Sequence, residues 1–259
     1  MKIDYYVFSG TGNTLLIAAH IAEKIVTMGH DVALHGINVD VEPDSDSVIG
    51  VAFPVAFFSY YPVVLDFFEK LPVGNQRKIF ITGTMGGCGM GLEGWFRKLV
   101  AAKGYIPIAS ELFVMPGNYN NQSLDRTAND HIVAKALIKA DVFAAHIADN
   151  ISEWKRGSTI IPSMWHKFVT SRLIISFFYR MYPIQVCNDR CVMCMRCASL
   201  CPADAFDCSG DYPKIIPSKC QCCQRCAGFC PVSAITVTNK TIVPYSAVDF
   251  DKFKELLNL

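Results

Sequence analysis

Charge is scarce in this chain of 259 residues: Asp, Glu, Lys and Arg make up 18% of it and hydrophobic residues 51%, a balance that excludes an intrinsically disordered polypeptide. Long uninterrupted apolar runs are also missing. The densest apolar stretch, PSMWHKFVTSRLIISFFYRMYPIQV, is broken by Lys167, Arg172 and Arg180 and falls short of the ~18–20 residues of a membrane span. Residues 1–8 hold a single Lys and no apolar segment with a cleavage site, so no secretory leader is expected and the expected location is the cytoplasm. No DNA-binding motif and no basic stripe is present, so no nucleic-acid partner is expected. Cysteine is nearly absent from the first 186 residues, where Cys88 stands alone.

The remaining eleven of the twelve cysteines lie between Cys187 and Cys230. In a chain without a secretion signal, such a cluster points to metal or redox chemistry rather than to disulfides. Charge divides along the same line: residues 1–155 carry 12 Lys and Arg against 16 Asp and Glu, residues 156–259 carry 12 against 7. Two domains are therefore expected, over 1–154 and 184–240, joined by a linker over 155–183 and followed by a tail over 241–259 that starts acidic and reads as a short helix. The apolar linker reads as a helix packed between the domains or in a homodimer interface. The other reading is a basic amphipathic helix lying on a membrane surface.

The cysteine-rich part is an internal repeat. CVMCMRCASLCPADAF (191–206) and CQCCQRCAGFCPVSAI (220–235) agree at eight of sixteen positions: four Cys, Arg196/Arg225, Ala198/Ala227, Pro202/Pro231 and Ala205/Ala234. Each copy reads C-x2-C-x2-C-x3-C-P. Three thiolates within seven residues wrap one compact cluster, and the fourth, before Pro, points away to ligate the other cluster. The expected ligand sets are Cys191, Cys194, Cys197 and Cys230 for a first 4Fe–4S cluster, and Cys220, Cys223, Cys226 and Cys201 for a second. Zinc is the alternative, but its sites use two pairs of ligands, whereas each copy offers three plus one. Cys222 aligns with Met193 and is expected not to be a ligand; Cys88, Cys187 and Cys208 stand outside the pattern and, like Cys222, read as small buried apolar residues. Arg196 and Arg225 read as solvated or paired residues rather than as tuners of potential. At this point the segment resembles the bacterial two-cluster ferredoxins over about fifty residues.

The first half reads differently. KIDYYVF is strand-like, SGTGNT follows, and a helical pattern then runs through Leu16, Ile17, His20, Ile21 and Ile25 to Gly29. Strand, glycine-rich turn and helix make a phosphate site. A Walker loop would need Lys, and a dinucleotide fingerprint would need Gly where Leu15 stands. Instead the loop offers the hydroxyls of Ser9, Thr11 and Thr14 and the amide of Asn13, neutral donors suited to a mononucleotide. SVIGVAF, RKIFITG and ASELFVM read as further strands, each running into an unusual loop (PVAFFSYYP, TMGGCGMG, PGNYN), with helices expected over 62–71, 90–103 and 125–154. Strands alternating with helices predict a doubly wound parallel sheet with ligands at the carboxyl ends of its strands.

Together these loops resemble the flavodoxin family over roughly the first 150 residues, which implies a five-stranded parallel sheet and FMN as cofactor. By that resemblance Ser9, Gly10, Thr11, Gly12, Asn13 and Thr14 would hold the phosphate. Pro54, Phe57, Phe58 and Tyr60, with Thr82, Gly83, Thr84, Gly86, Gly87 and Gly89, would flank the isoalloxazine, and Asn118 or Tyr119 would reach its far rim. The whole chain is similar to flavodoxin–ferredoxin fusion proteins of anaerobes: an α/β flavodoxin-like domain followed by a small α+β ferredoxin-like domain. The resemblance implies an electron-transfer protein with a redox-protein donor or acceptor and no defined substrate. The alternative is an FMN-dependent reductase of a small substrate fed by the clusters. The ferredoxin-like unit is expected to dock where the 53–61 and 82–91 loops would expose the flavin edge.

Overall fold

The computed structural model describes residues 1–37, 43–56, 59–89, 91–118, 125–155, 168, 171, 174, 177, 181–237 and 244–257. In the first half, strands β1 (Lys2–Val7), β2 (Asp31–Gly36), β3 (Val48–Pro54), β4 (Lys78–Met85) and β5 (Ile106–Val114) alternate with helices α1 (Asn13–Thr27), α2 (Pro62–Lys70), α3 (Leu92–Ala102) and α4 (Arg126–Ala148). All five strands pair in parallel in the order β2-β1-β3-β4-β5. A two-residue sixth strand, β6 (Glu153–Trp154), adds to the outer edge of β5 through Ala109↔Glu153 and Ser110↔Trp154. The expected five-stranded sheet is thus six-stranded. The EW pair is too short to carry a strand pattern of its own, and the helix expected as far as 154 stops at Ala148.

Local chemistry accounts for these elements. β3 and β4 read as near-continuous apolar runs because both of their faces are covered by helices. One core joins the α1 and α4 side chains Leu15, Ile21, Ala140 and Phe143 to Tyr5 and Phe80, and the other joins the α2 and α3 side chains Phe68, Trp95 and Phe96 to Tyr6, Ile49 and Phe53. Gly50 is required where the sheet is tightest: a Cβ there would stand 2.5 Å from the rings of both Tyr5 and Phe80. Pro62 opens α2 at its first position, where its missing N–H costs nothing. Asp125 caps α4 by accepting from the Ala128 N–H at 3.0 Å. The strand order reverses between β1 and β3, and in open parallel sheets a crevice forms at the carboxyl ends flanking that switch.

The second half is small and nearly two-fold. β7 (Ile184–Val186) pairs antiparallel with β10 (Ile235–Val237), and β8 (Phe206–Asp207) with β9 (Lys214–Ile215). Short helices α5 (Arg196–Ser199) and α6 (Arg225–Gly228) occupy equivalent places in the two copies. The repeat extends to the backbone: left-handed residues fall at Met193 and Cys222, Met195 and Gln224, Asp204 and Ser233, each pair 29 apart. The tail forms α7 (Phe250–Leu257), whose Phe253 and Leu257 are buried in the same core as α1. Most of the linker over 155–183 lies outside the described residues. Among the described residues no helix is long and apolar enough to cross a membrane.

Candidate functional site

Tight left-handed turns and a helix of one turn gather the cysteines of each copy. Cys191, Cys194 and Cys197 line one cavity together with Cys230 of the other copy, and Cys220, Cys223 and Cys226 line a second together with Cys201. In both copies the cysteine before proline accepts a backbone N–H four residues on, from Ala205 to Cys201 Sγ at 3.3 Å and from Ala234 to Cys230 Sγ at 3.2 Å. Among the described residues no three Cys, His, Asp or Glu side chains converge on a single-ion position. The four thiols of each set line one cavity, a donor set of the kind a 4Fe–4S cluster takes. Burial pushes the thiols of Cys197 and Cys223 up to about 11, so both hold their protons in the metal-free chain and release them on ligation. Cys222, 2% exposed, follows Gln221 on the left-handed turn and is absent from both cavity linings, whereas Cys88 and Cys208, expected to be buried, are exposed and Cys187 is partly so.

At the carboxyl ends of the parallel strands lies a cleft of about 270 Å³. Its floor is the loop after β1, with Ser9, Gly10, Thr11, Asn13 and Thr14, and its walls include Pro54, Tyr61, Thr84, Gly86 and Asn118. Ser9 Oγ accepts from the N–H groups of Gly12 and Leu15 at 3.2 and 3.3 Å, which closes the first turn of α1. Gly12 sits at φ 100°, a left-handed conformation open to glycine, and starts the helix. Thr14 and Thr84 share a hydroxyl hydrogen bond at 2.7 Å, and Asn118 Nδ2 donates to Thr11 Oγ1 at 2.6 Å. Asn13 Nδ2 donates to the Pro116 carbonyl, while its Oδ1 is buried with no partner among the described residues. The cleft therefore combines neutral donors at a helix N-terminus, which suit an anion, with an orphaned acceptor that suits a hydroxyl.

The two sites touch. Cys223 belongs to the second cysteine cavity and also lines the cleft. A Cβ on Gly10 would lie 2.4 Å from the Cys223 carbonyl oxygen, so only glycine permits this approach. Arg225, 3% exposed, donates from Nε to the Ser9 carbonyl at 2.9 Å and from Nη1 to the Leu200 carbonyl at 3.1 Å. Its guanidinium lies over Phe8 and Phe253, 5.0 and 5.3 Å from their ring centres. Further contacts run from Ala247 N–H to the Thr11 carbonyl, and from Val63 N–H to Gln221 Oε1 at 3.2 Å. The second copy and the tail thus meet the first domain at the phosphate-type loop and at the start of α2, next to the 53–61 loop. Gly10 of the phosphate-type loop admits the Cys223 backbone, Gly12 stands against Val248 of the tail, and the Ser9 and Thr11 carbonyls accept from the Arg225 side chain and the Ala247 N–H.

Of the residues expected at the cleft, Ser9, Gly10, Thr11, Asn13, Thr14, Pro54, Thr84, Gly86 and Asn118 line it. Gly12 serves the turn and does not line it. Tyr60 is stacked on Trp95 at 4.7 Å inside the α2–α3 core, and its neighbour Tyr61 takes the wall. Thr82 is committed within the sheet, bonding Tyr5 at 2.6 Å, and Gly83 and Gly89 abut Leu112. Gly87 faces open space. Phe57, Phe58 and Tyr119 lie outside the described residues, as does Met90, where α3 was expected to begin. Val55, Tyr61 and Met85, within the 53–61 and 82–91 loops expected at the ring, also line the cleft, as do Pro116 and Gly117 of the PGNYN loop. Sequence reasoning missed Met115 and Cys223, and Cys223 reaches the cleft only by docking of the two halves. Arg225, expected to be solvated or paired, is buried between the halves and paired with two carbonyls.

Comparison with known proteins adds a family match over the first copy: residues 188–207 match the model described as "4Fe-4S binding domain". No curated protein matches the chain. Among solved structures the chain is similar to a flavodoxin from the domain Archaea (16% identity, TM-score 0.43, covering 57% of this chain and 97% of that one). It is also similar to the two-electron reduced Megasphaera elsdenii flavodoxin (23%, 0.39, 53% and 98%) and to oxidised flavodoxin 1 from Bacillus cereus (15%, 0.43, 59% and 100%). The strand order β2-β1-β3-β4-β5 is the flavodoxin-like arrangement of a doubly wound sheet. The chain joins a flavodoxin-like α/β domain to a 4Fe–4S ferredoxin-like segment.

Proposed function

We propose that this protein is an electron-transfer flavo-iron–sulfur protein, holding one 4Fe–4S cluster in each cysteine cavity and FMN in the cleft above the parallel sheet. Cys191, Cys194, Cys197 and Cys230 hold the first cluster, and Cys220, Cys223, Cys226 and Cys201 the second. The loop from Ser9 to Thr14 takes the phosphate, Asn13 Oδ1 accepts from a sugar-alcohol hydroxyl, and Tyr61, Met85 and Met115 give apolar wall to a flat ring. The clusters supply one-electron exchange and the flavin either one or two electrons, so the chain converts between the two modes. Its own residues provide the rest. Cys223, shared by a cluster cavity and the cleft, carries this reading, because it supports a short path between the two redox sites. The first cavity lies at the surface, with Val192 56% exposed, Met193 52% exposed and Cys194 exposed beside it, which gives a redox-protein partner access there.

The test is the content of protein purified without oxygen. About eight iron and eight sulfide per chain are expected from two cubane clusters, with one FMN. Zinc at two equivalents without acid-labile sulfide, or a flavin-free protein that does not take up added FMN, overturns the reading.

A further inference from the structure

We infer that the buried guanidinium of Arg225 makes the second cluster the more readily reduced of the two, so that electrons entering at the first cluster run toward the flavin. This rests on the two-cluster and FMN reading above. The two copies have matching left-handed turns, matching short helices and matching N–H···S bonds at Cys201 and Cys230. What differs is what surrounds them.

Arg225 is 3% exposed, is fixed by the Ser9 and Leu200 carbonyls, and lines the second cavity together with Cys201, Cys223 and Cys226. A guanidinium keeps its charge even when buried, and a charge in a poor dielectric acts more strongly than one in water. Its counterpart Arg196 is half-buried and stacks on Phe250 at 4.1 Å, with water left to screen it. The second cavity also receives an N–H from Cys222 to Cys220 Sγ at 3.5 Å, a bond with no counterpart at Cys191 among the described residues. Beside it stands Gln224, 2% exposed, whose amide has no partner among the described residues and lines the cavity where the first copy has Met195.

Reduction adds one negative charge to a cluster, and cations and N–H donors at its sulfurs favour that form. Burial opposes it, but three of the four thiols at the first site are partly buried as well, so the full charge of Arg225 decides the sign. The step is a single-electron transfer: the reduced first cluster is oxidised and the second reduced, with no bond made or broken and no proton moved.

An anaerobic redox titration of the holoprotein, followed by EPR, tests this. Wild type is expected to show two reduction steps. Cys230→Ser, which removes the first cluster, keeps the higher step, and Cys201→Ser, which removes the second, keeps the lower. Arg225→Met lowers one step only and narrows or reverses the gap, Arg225→Lys restores most of it, and Arg196→Met moves neither. The inference is overturned if Cys230→Ser keeps the lower step, or if fully loaded Arg225→Met titrates like wild type. Arg225→Met with less iron is set aside in favour of the two ligand variants, which decide alone. A wild type with half the expected iron would overturn the two-cluster reading instead, and that is read from metal content before any titration.

Discussion

The two cysteine copies share a backbone and differ in their neighbours. At 191–206 the loop faces solvent, with Met193 half exposed and Arg196 lying on the half-buried Phe250. At 220–235 the same turns are pressed against the loop after β1: Cys222 and Gln224 are buried, and Arg225 reaches across to the Ser9 carbonyl. A repeated motif thus specifies how thiols are arranged around a cluster, while the environment of each cluster comes from what docks on it. One copy faces solvent, the other the cleft.

The proposed ligand exchange between copies predicts the largest effects. Cys201→Ser, though within the first copy, removes the second cluster and about half of the iron, and Cys230→Ser removes the first. Cys222→Ala leaves the iron unchanged. Iron analysis with EPR separates these outcomes, and loss of a cluster in Cys222→Ala but not in Cys223→Ala would shift the register.

Next comes the docking of the tail. Phe253 is fully buried, 4.4 Å from the Phe229 ring and beneath Arg225, so Phe253→Ala is expected to cost ~3–5 kcal/mol in anaerobic denaturation. A smaller effect is expected at the loop contact. Gly10→Ala forces a methyl onto the Cys223 carbonyl, costs ~1–3 kcal/mol and weakens FMN binding, whereas Gly87→Ala meets nothing within 4 Å and stays neutral in both. The smallest is Phe250→Ala, where losing a partly exposed stack under Arg196 costs ~0.5–1 kcal/mol. If Phe250→Ala matched Phe253→Ala, the contrast between an exposed and a docked copy would fail.

The parallel sheet was legible because β3 and β4 are buried on both faces and are written as apolar runs between glycine-rich loops. The grouping of the cysteines follows their spacing: three thiols of each copy share a turn and line a cavity with the last cysteine of the other copy. β6 was not legible: two residues paired at a sheet edge leave no periodicity. Side-chain direction after β3 was not legible either. Nothing in FFSYYP tells Tyr60, stacked on Trp95, from Tyr61, which faces the cleft. The places of Cys223 at the cleft and of Arg225 on its loop depend on contacts more than 200 residues apart in the chain, as between Ser9 and Arg225. Only the glycine at position 10 hints at them, and a glycine in a phosphate-type loop already has a local explanation.

The central claim is that electrons reach the flavin through the clusters, the second standing beside it. Its most direct test is anaerobic stopped-flow reduction by a low-potential one-electron donor, with flavin absorbance followed in wild type and in FMN-loaded Cys220→Ser/Cys226→Ser. Flavin reduction in the variant lacking the second cluster is expected to slow by at least an order of magnitude; equal rates in the two proteins would contradict the account and leave two independent redox modules on one chain.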